Sequence, residues 1–263
     1  MIILERPIAS IYGNGANTGL SIDISYETTN IVPIIDSQVQ NNFGRTINIG
    51  GAQIAKYLSS LIKERDIELY NDIQKVGNIN DFSTYAVESG ACGFNIIENE
   101  TLSNPNNIKK DTYEIEFKGV KFNLGDERFM CCKLFFDEEL TGSTNSFRFL
   151  DAIAASVACN EPEKRPNLWE SIHLVGKFSN LIKNYLKNHV LGKSEHFSEF
   201  QSRDCKVMKI PEYFYGWQNS HNMATFLGAI IIAKIALNDP KYHITKIDYN
   251  ELGPSAFSTK SFT

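Results

Sequence analysis

The chain is poor in the residues from which metal centres and disulfide frameworks are built, with five cysteines and five histidines in 263 residues. Cys92, Cys131, Cys132, Cys159 and Cys205 are odd in number, two are adjacent and none forms a CxxC pair. Neither a disulfide scaffold nor a zinc site is therefore expected, and a reducing cytosol or nucleus is the expected compartment. His173, His189, His196, His221 and His243 show no HExxH or related ligand spacing, which removes support for metal catalysis. No GxGxxG and no GxxxxGK[ST] occurs. Gly13-Asn14-Gly15 is only a GxG and Gly50-Gly51 only a GG, and both read as tight turns. The longest apolar run, 223–237, has 15 residues and includes Lys234, which is short for a membrane span and reads as a buried helix. Residues 1–7 lack the basic-then-apolar order of a secretory signal, so none is expected. A basic surplus is also absent: 26 Lys+Arg stand against 31 Asp+Glu, and the positive residues are scattered apart from Lys109-Lys110. Any nucleic-acid role is expected to pass through a partner.

What the chain does have is a globular composition, 42% hydrophobic and 22% charged, at a length that supports a core without covalent staples in one large or two small domains. Residues 20–23 and 31–35 are β-type runs separated by Ser25-Tyr26-Glu27-Thr28-Thr29-Asn30, which predicts a hairpin. Gly50-Gly51 opens a helix in which Ile54, Tyr57, Leu58, Leu61 and Ile62 recur at helical spacing. Over 78–107 the periodicity fades and Asn, Ser, Glu and Gly accumulate, which predicts an irregular surface insertion with one short helix. Residues 111–124 alternate about Lys118-Gly119 and predict a second hairpin. Beyond it come a helix over 147–158, a buried strand over 171–175, a helix capped by Ser179, a loop-like stretch over 196–214 and the apolar helix over 223–237. Mixed α/β architecture follows.

Two loops have the form of a phosphate cradle: the turn after Asp23, and Gly176 between a buried strand and a capped helix. Asp23, at a strand end, is the best candidate to hold a metal-bound water. Ser25 lacks the flanking glycines of a nucleophile elbow, so a hydrolase of that type is not expected.

Taken in order, the segments resemble the actin family from about Pro7 onward. Residues 18–34 look like that family's second phosphate hairpin, and Asn48-Ile49-Gly50-Gly51 with its helix looks like the segment after it. Gly125-Asp126-Glu127-Arg128-Phe129-Met130-Cys131 resembles the GNERFRC signature. Leu174-Val175-Gly176-Lys177-Phe178 stands in the place of the adenosine-side GG turn, and Tyr249-Asn250-Glu251-Leu252-Gly253-Pro254-Ser255 resembles YDESGPS. Tyr213-Phe214 with Trp217, Phe226-Leu227-Gly228-Ala229 and Ile244-Thr245 look most like the fungal nuclear branch of actin-related protein nine, found in SWI/SNF-type and RSC chromatin remodellers, with the actin-related protein seven branch as nearest rival. The resemblance implies an α/β, actin-like (ribonuclease H-like) fold, incomplete at the N-terminus. It implies subdomain 3 over 1–49 and 141–209, subdomain 4 over 50–140, and the C-terminal part of subdomain 1 over 210–263, leaving one face of the 223–237 helix uncovered.

The departures from the family shape the expected function. Ser25 and Glu27, with Tyr26 between them, match glycines whose amides approach phosphate in the family. A carboxylate there repels a triphosphate, and a side chain there hinders a positive φ. Asn30 matches the histidine that positions the attacking water, Lys177 the second glycine of the Gly176 turn, and Gln74 and Lys75 the base-contacting Lys-Glu pair. Of the hydrolytic set only Asp23 remains. Phosphoryl transfer needs metal, cradle and water-positioning group together, so no ATPase activity, no cofactor and no catalytic residue is expected. The resemblance implies instead a nuclear, non-catalytic scaffold. It would pair with a partner of the actin-related protein seven type and receive the remodeller motor's helicase-SANT-associated helix between Tyr12 and Gly15 on one wall and Ile232 and Ile235 on the other. Chromatin is met only indirectly and no membrane is involved. The competing expectation is a nucleotide-binding actin-like ATPase or a cytoskeletal actin-related protein.

Overall fold

Helix α1 (Arg6–Gly13) comes first, with Pro7 in its opening turn, where a missing amide removes no helical hydrogen bond. The sequence reading gives no element there. Strands β1 (Gly19–Ile24) and β2 (Thr29–Ile35) form the expected antiparallel hairpin, with Asp23 opposite Asn30. The short strands β3 (Gln38–Val39) and β4 (Arg45–Ile47) pair with β2. These positions come from a computed structural model, which describes residues 2–93, 112–137, 140, 149–179, 205–218 and 220–259. Residues 94–107 of the expected insertion, the helix expected after Ser179 and the stretch 196–204 lie outside the described residues.

Three helices follow the sheet: α2 (Gly51–Arg65), α3 (Ile67–Val76), whose cap Asp66 accepts the Leu69 amide, and α4 (Ile79–Glu88), whose cap Asn78 accepts the Asn80 amide. The start of the expected insertion is thus a regular helix, packed rather than looped out. It buries Ile79, Phe82, Ala86 and Val87, and the Phe82 ring stands edge-on to Phe117 and Phe122, each at 5.4 Å. Strands β5 (Tyr113–Phe117) and β6 (Val120–Leu124) form the second hairpin about Lys118 and Gly119, both at positive φ. Helix α5 (Glu127–Met130) runs into a tight turn over Cys131–Phe135. Then come α6 (Phe149–Ala158), α7 (Arg165–Trp169) and β7 (Ile172–Val175), which lies parallel to β1. Helices α8 (Ala224–Ala236), α9 (Lys246–Leu252) and α10 (Ala256–Thr259) complete the described chain. The result is the expected α/β architecture, a mixed sheet in the order β3-β2-β1-β7 with helices around it.

Side-chain alternation on β1 sorts the molecule. Leu20, Ile22 and Ile24 enter the main core with Ile54, Leu58 and Ile62 of α2, Phe82 of α4, Phe122 and Phe149. Ser21 and Asp23 meet α1 instead: Ser10 Oγ lies 2.8 Å from Ser21 Oγ, and Arg6 Nη2 lies 2.7 Å from Asp23 Oδ2. A second, smaller core joins Val175, Ile210, Ala224 and Leu227, backed by Phe214. There α1 crosses α8 so closely that a Cβ on Gly228 would fall 2.6 Å from the Gly13 nitrogen, and one on Gly13 would fall 2.7 Å from the Ala224 carbonyl carbon. Only glycine fits at either position. The helix expected over 223–237 is present but buried on one side only. Phe226, Ile230, Ile235 and Leu237 are exposed, in keeping with the uncovered face that the resemblance implies.

Candidate functional site

The turn between β1 and β2 is closed on itself, because the Ser25 amide donates to the Thr28 carbonyl at 2.9 Å. Two of its carbonyls are also engaged. The Gly51 and Ala52 amides at the N-terminus of α2 donate to the Ser25 and Tyr26 carbonyls at 3.1 and 2.7 Å, and the Gly50 amide donates to Gln53 Oε1 at 2.9 Å. A helix N-terminus ordinarily offers its first amides to an anion. Here two of those amides hold the hairpin turn.

Asp23 is buried at the end of β1 beside that turn, and it accepts a hydrogen bond from Ser25 Oγ at 3.3 Å as well as the Arg6 ion pair. Burial pushes its carboxyl pKa up, with Arg6 and the Ser25 hydroxyl pulling the other way. Burial outweighs the ion pair because the Arg6 side chain is 63% exposed, where water screens its charge.

The turn after β7 closes the junction from a third side. Gly176 has φ +90°, and a Cβ there would fall 2.5 Å from Asp23 Oδ1. Lys177 leans outward and pairs with Glu88 of α4 at 2.7 Å. Phe178 turns inward: it is 3% exposed, its amide donates to the Ile24 carbonyl at 3.4 Å, and its ring lies 6.2 Å from the Tyr26 ring. A Cβ on Gly51 would fall 2.5 Å from Phe178 Cε1.

Asp23, Ser25, Tyr26, Gly176 and Lys177 are thus drawn to one junction. Glu27 is exposed on the turn itself. Asn30 stands opposite Asp23 in register, but its carboxamide oxygen accepts from Thr46 Oγ1 at 2.8 Å on the β4 side. Gln74 and Lys75 make their polar contacts within α3, to Tyr70 Oη at 3.3 Å and to Asp72 at 2.7 Å. Arg6, Glu88 and Phe178 join the junction without a motif in the sequence that marks them. The only local signal was an aromatic residue directly after the Gly176-Lys177 turn.

On the expected groove, Tyr12 is half-buried with its hydroxyl 3.0 Å from Ser37 Oγ. Gly15 is exposed at φ +73°, where a Cβ would fall 2.9 Å from Pro211 Cγ. Ile235 is half-exposed, whereas Ile232, placed on the groove wall by the resemblance, is only 1% exposed and packs as a core residue. Its place on α8 turns it inward. Among the described residues no cluster of His, Cys, Asp and Glu could hold a metal ion, and no helix is long and apolar enough to cross a membrane.

A mixed sheet with a hairpin turn, a glycine-opened helix and a second glycine turn meeting at one junction defines an actin-like α/β protein. The actin family model matches residues 1–262, and the chain belongs to that family. Its relatives include actin-related protein 7 of Oryza sativa subsp. indica, 22% identical, with 98% of this chain and 67% of that protein covered. The SWI/SNF and RSC complexes subunit arp9 of Schizosaccharomyces pombe is 23% identical, with 98% of this chain and 66% of that protein covered. Actin-related protein 2 of the same yeast is 21% identical, with 95% of this chain and 63% of that protein covered. The chain therefore spans about two thirds of the length of the curated relatives it matches.

Proposed function

We propose that this chain is a non-catalytic actin-related scaffold subunit of a SWI/SNF- or RSC-type chromatin-remodelling complex, acting in the nucleus in transcription regulation. The observation that carries the reading is that the Ser25 amide of the β1–β2 turn and the Gly51 and Ala52 amides opening α2 bond to the Thr28, Ser25 and Tyr26 carbonyls of the protein itself. Hydrolysis of a nucleotide needs a cradle of free amides, a metal and a positioned water at once. Here Glu27 adds a negative charge to the turn, Asp23 is held by Arg6, and Asn30 bonds to Thr46. The relative named as a SWI/SNF and RSC complexes subunit supports the choice of complex. In this reading the chain pairs with a second actin-related protein of the seven type, and it receives the motor's helicase-SANT-associated helix beside Tyr12, Gly15 and Ile235, with Ile232 serving the core behind them.

The test is a fluorescence-anisotropy titration of a helicase-SANT-associated peptide. Tyr12→Ala combined with Ile235→Ala is expected to weaken binding by about tenfold or more, with unchanged circular dichroism. Unchanged affinity would remove the groove assignment. The alternative, a nucleotide-binding ATPase or cytoskeletal relative, requires stabilisation by Mg-ATP.

A further inference from the structure

We infer that Phe178 is a built-in occupant of the junction between the β1–β2 turn, the N-terminus of α2 and the turn after β7, so that a side chain of the protein fills the space where a ligand would otherwise bridge these elements. The inference rests on the reading above that the junction takes no nucleotide. Its first support is burial. Phe178 lies in a turn, next to the exposed Lys177, yet the residue is only 3% exposed.

The second support is the glycine facing it. A Cβ on Gly51 would fall 2.5 and 2.6 Å from ring atoms Cε1 and Cε2, far inside the separation at which carbon atoms attract. A glycine opening a helix after a strand suggests close approach of a ligand to the backbone. Here the group that approaches is the phenyl ring, so glycine at 51 and an aromatic ring at 178 require one another.

The third support is that the α2 amides beside the ring, and the amide of Phe178 itself, are already bonded within the protein. Tyr26 flanks it at 6.2 Å, within the range of a favourable aromatic pair. The Gly51 and Ala52 amides bond to the Ser25 and Tyr26 carbonyls, and the Phe178 amide bonds to the Ile24 carbonyl. On the outside, Lys177 and Glu88 tie the β7 turn to α4. A ligand seeking the α2 amides would have to break two hydrogen bonds and expel the ring. The sheet and the α2–α4 layer are thus clamped by the protein alone, and their arrangement needs no ligand to set it.

A double-mutant cycle on the full chain tests this, with Gly51→Ala, Phe178→Ala and the double variant compared by Tm with and without Mg-ATP. Gly51→Ala is expected to lower Tm by roughly 5 °C or more, because its methyl meets the ring. In the Phe178→Ala background the same change is expected to cost less than about 2 °C, since the methyl enters vacated space. If Gly51→Ala alone does not fold, a double variant that melts near Phe178→Ala carries the same result. Additive losses with no Mg-ATP shift in any variant would overturn the Phe178 inference alone. A Mg-ATP shift in the unaltered chain would overturn the reading on which it rests. A shift confined to the Phe178→Ala variants would support both.

Discussion

His173 shows at the scale of one residue how the fold sets a titration. It is fully buried on β7, with Nε2 2.9 Å from Ser171 Oγ, and burial lowers its pKa to about 4 from an ordinary value near 6.5. The folded state therefore binds fewer protons than the unfolded state between those values, and stability falls as pH drops from about 6.5 towards 4. The full loss is roughly 3 kcal/mol, and a Tm series over that window should show it, with a flatter profile in His173→Asn. Asp23 carries the opposite sign. Its carboxyl pKa is raised, so the cost of its buried charge is present above the folded pKa and vanishes as the group protonates. Asp23→Asn at pH 7 is accordingly expected to leave Tm unchanged or raise it. A clear drop would mean that the Arg6 pair contributes more than burial removes. The place of Asp23 at the junction is legible from its position at a strand end, whereas that of Arg6 is not, because the contact depends on how α1 is set against β1.

Among elements, those whose signal is local were readable and those whose signal is long-range were not. Both hairpins declare themselves through alternation around a polar turn, and α2 through Ile54, Leu58, Leu61 and Ile62 on one face. Helix α4 is a short helix within 78–107, as expected there, although the Asn, Asp, Ser and Thr residues around Ile79, Phe82, Ala86 and Val87 give the segment the composition of a loop. Helix α1 carries no such local signal. Its small residues make sense only against α8, more than two hundred positions later, where Gly13 meets Ala224 and Gly228 meets Ala9. Gly228→Ala is expected to destabilise by about 1–3 kcal/mol or more, since the added methyl has backbone on the far side and nothing there can swing away. A denaturant midpoint equal to that of the unaltered chain would mean that the helices can separate freely.

Across the whole molecule, the apolar surface is unevenly finished. The main core closes around the sheet, α2, α4 and the second hairpin, whereas residues 210–259 rest on a small cluster and leave Tyr213, Tyr215, Phe226, Ile230 and Leu237 in solvent. Phe226, Ile230 and Leu237 share one side of α8, opposite the side that meets α1, so they form a stripe rather than isolated residues. Phe226→Ser with Ile230→Ser is expected to reduce self-association in sedimentation while changing Tm little, since neither residue supports the α1 crossing. Unchanged sedimentation would show that the stripe does not drive association. The uncovered face was legible only through the family resemblance, because periodicity alone makes 223–237 a uniformly buried helix.

The junction at which an actin-family fold would hold a ligand is filled here by Phe178, with the α2 amides bonded to the protein's own backbone. The most direct measurement is a thermal-shift titration of the unaltered chain with Mg-ATP, because a ligand that binds only the folded state raises its melting point. No shift at millimolar Mg-ATP, alongside a cooperative melt, is the expected result. A concentration-dependent rise would show that Ser25, Tyr26, Glu27 and Phe178 yield to nucleotide and that the junction is an open site.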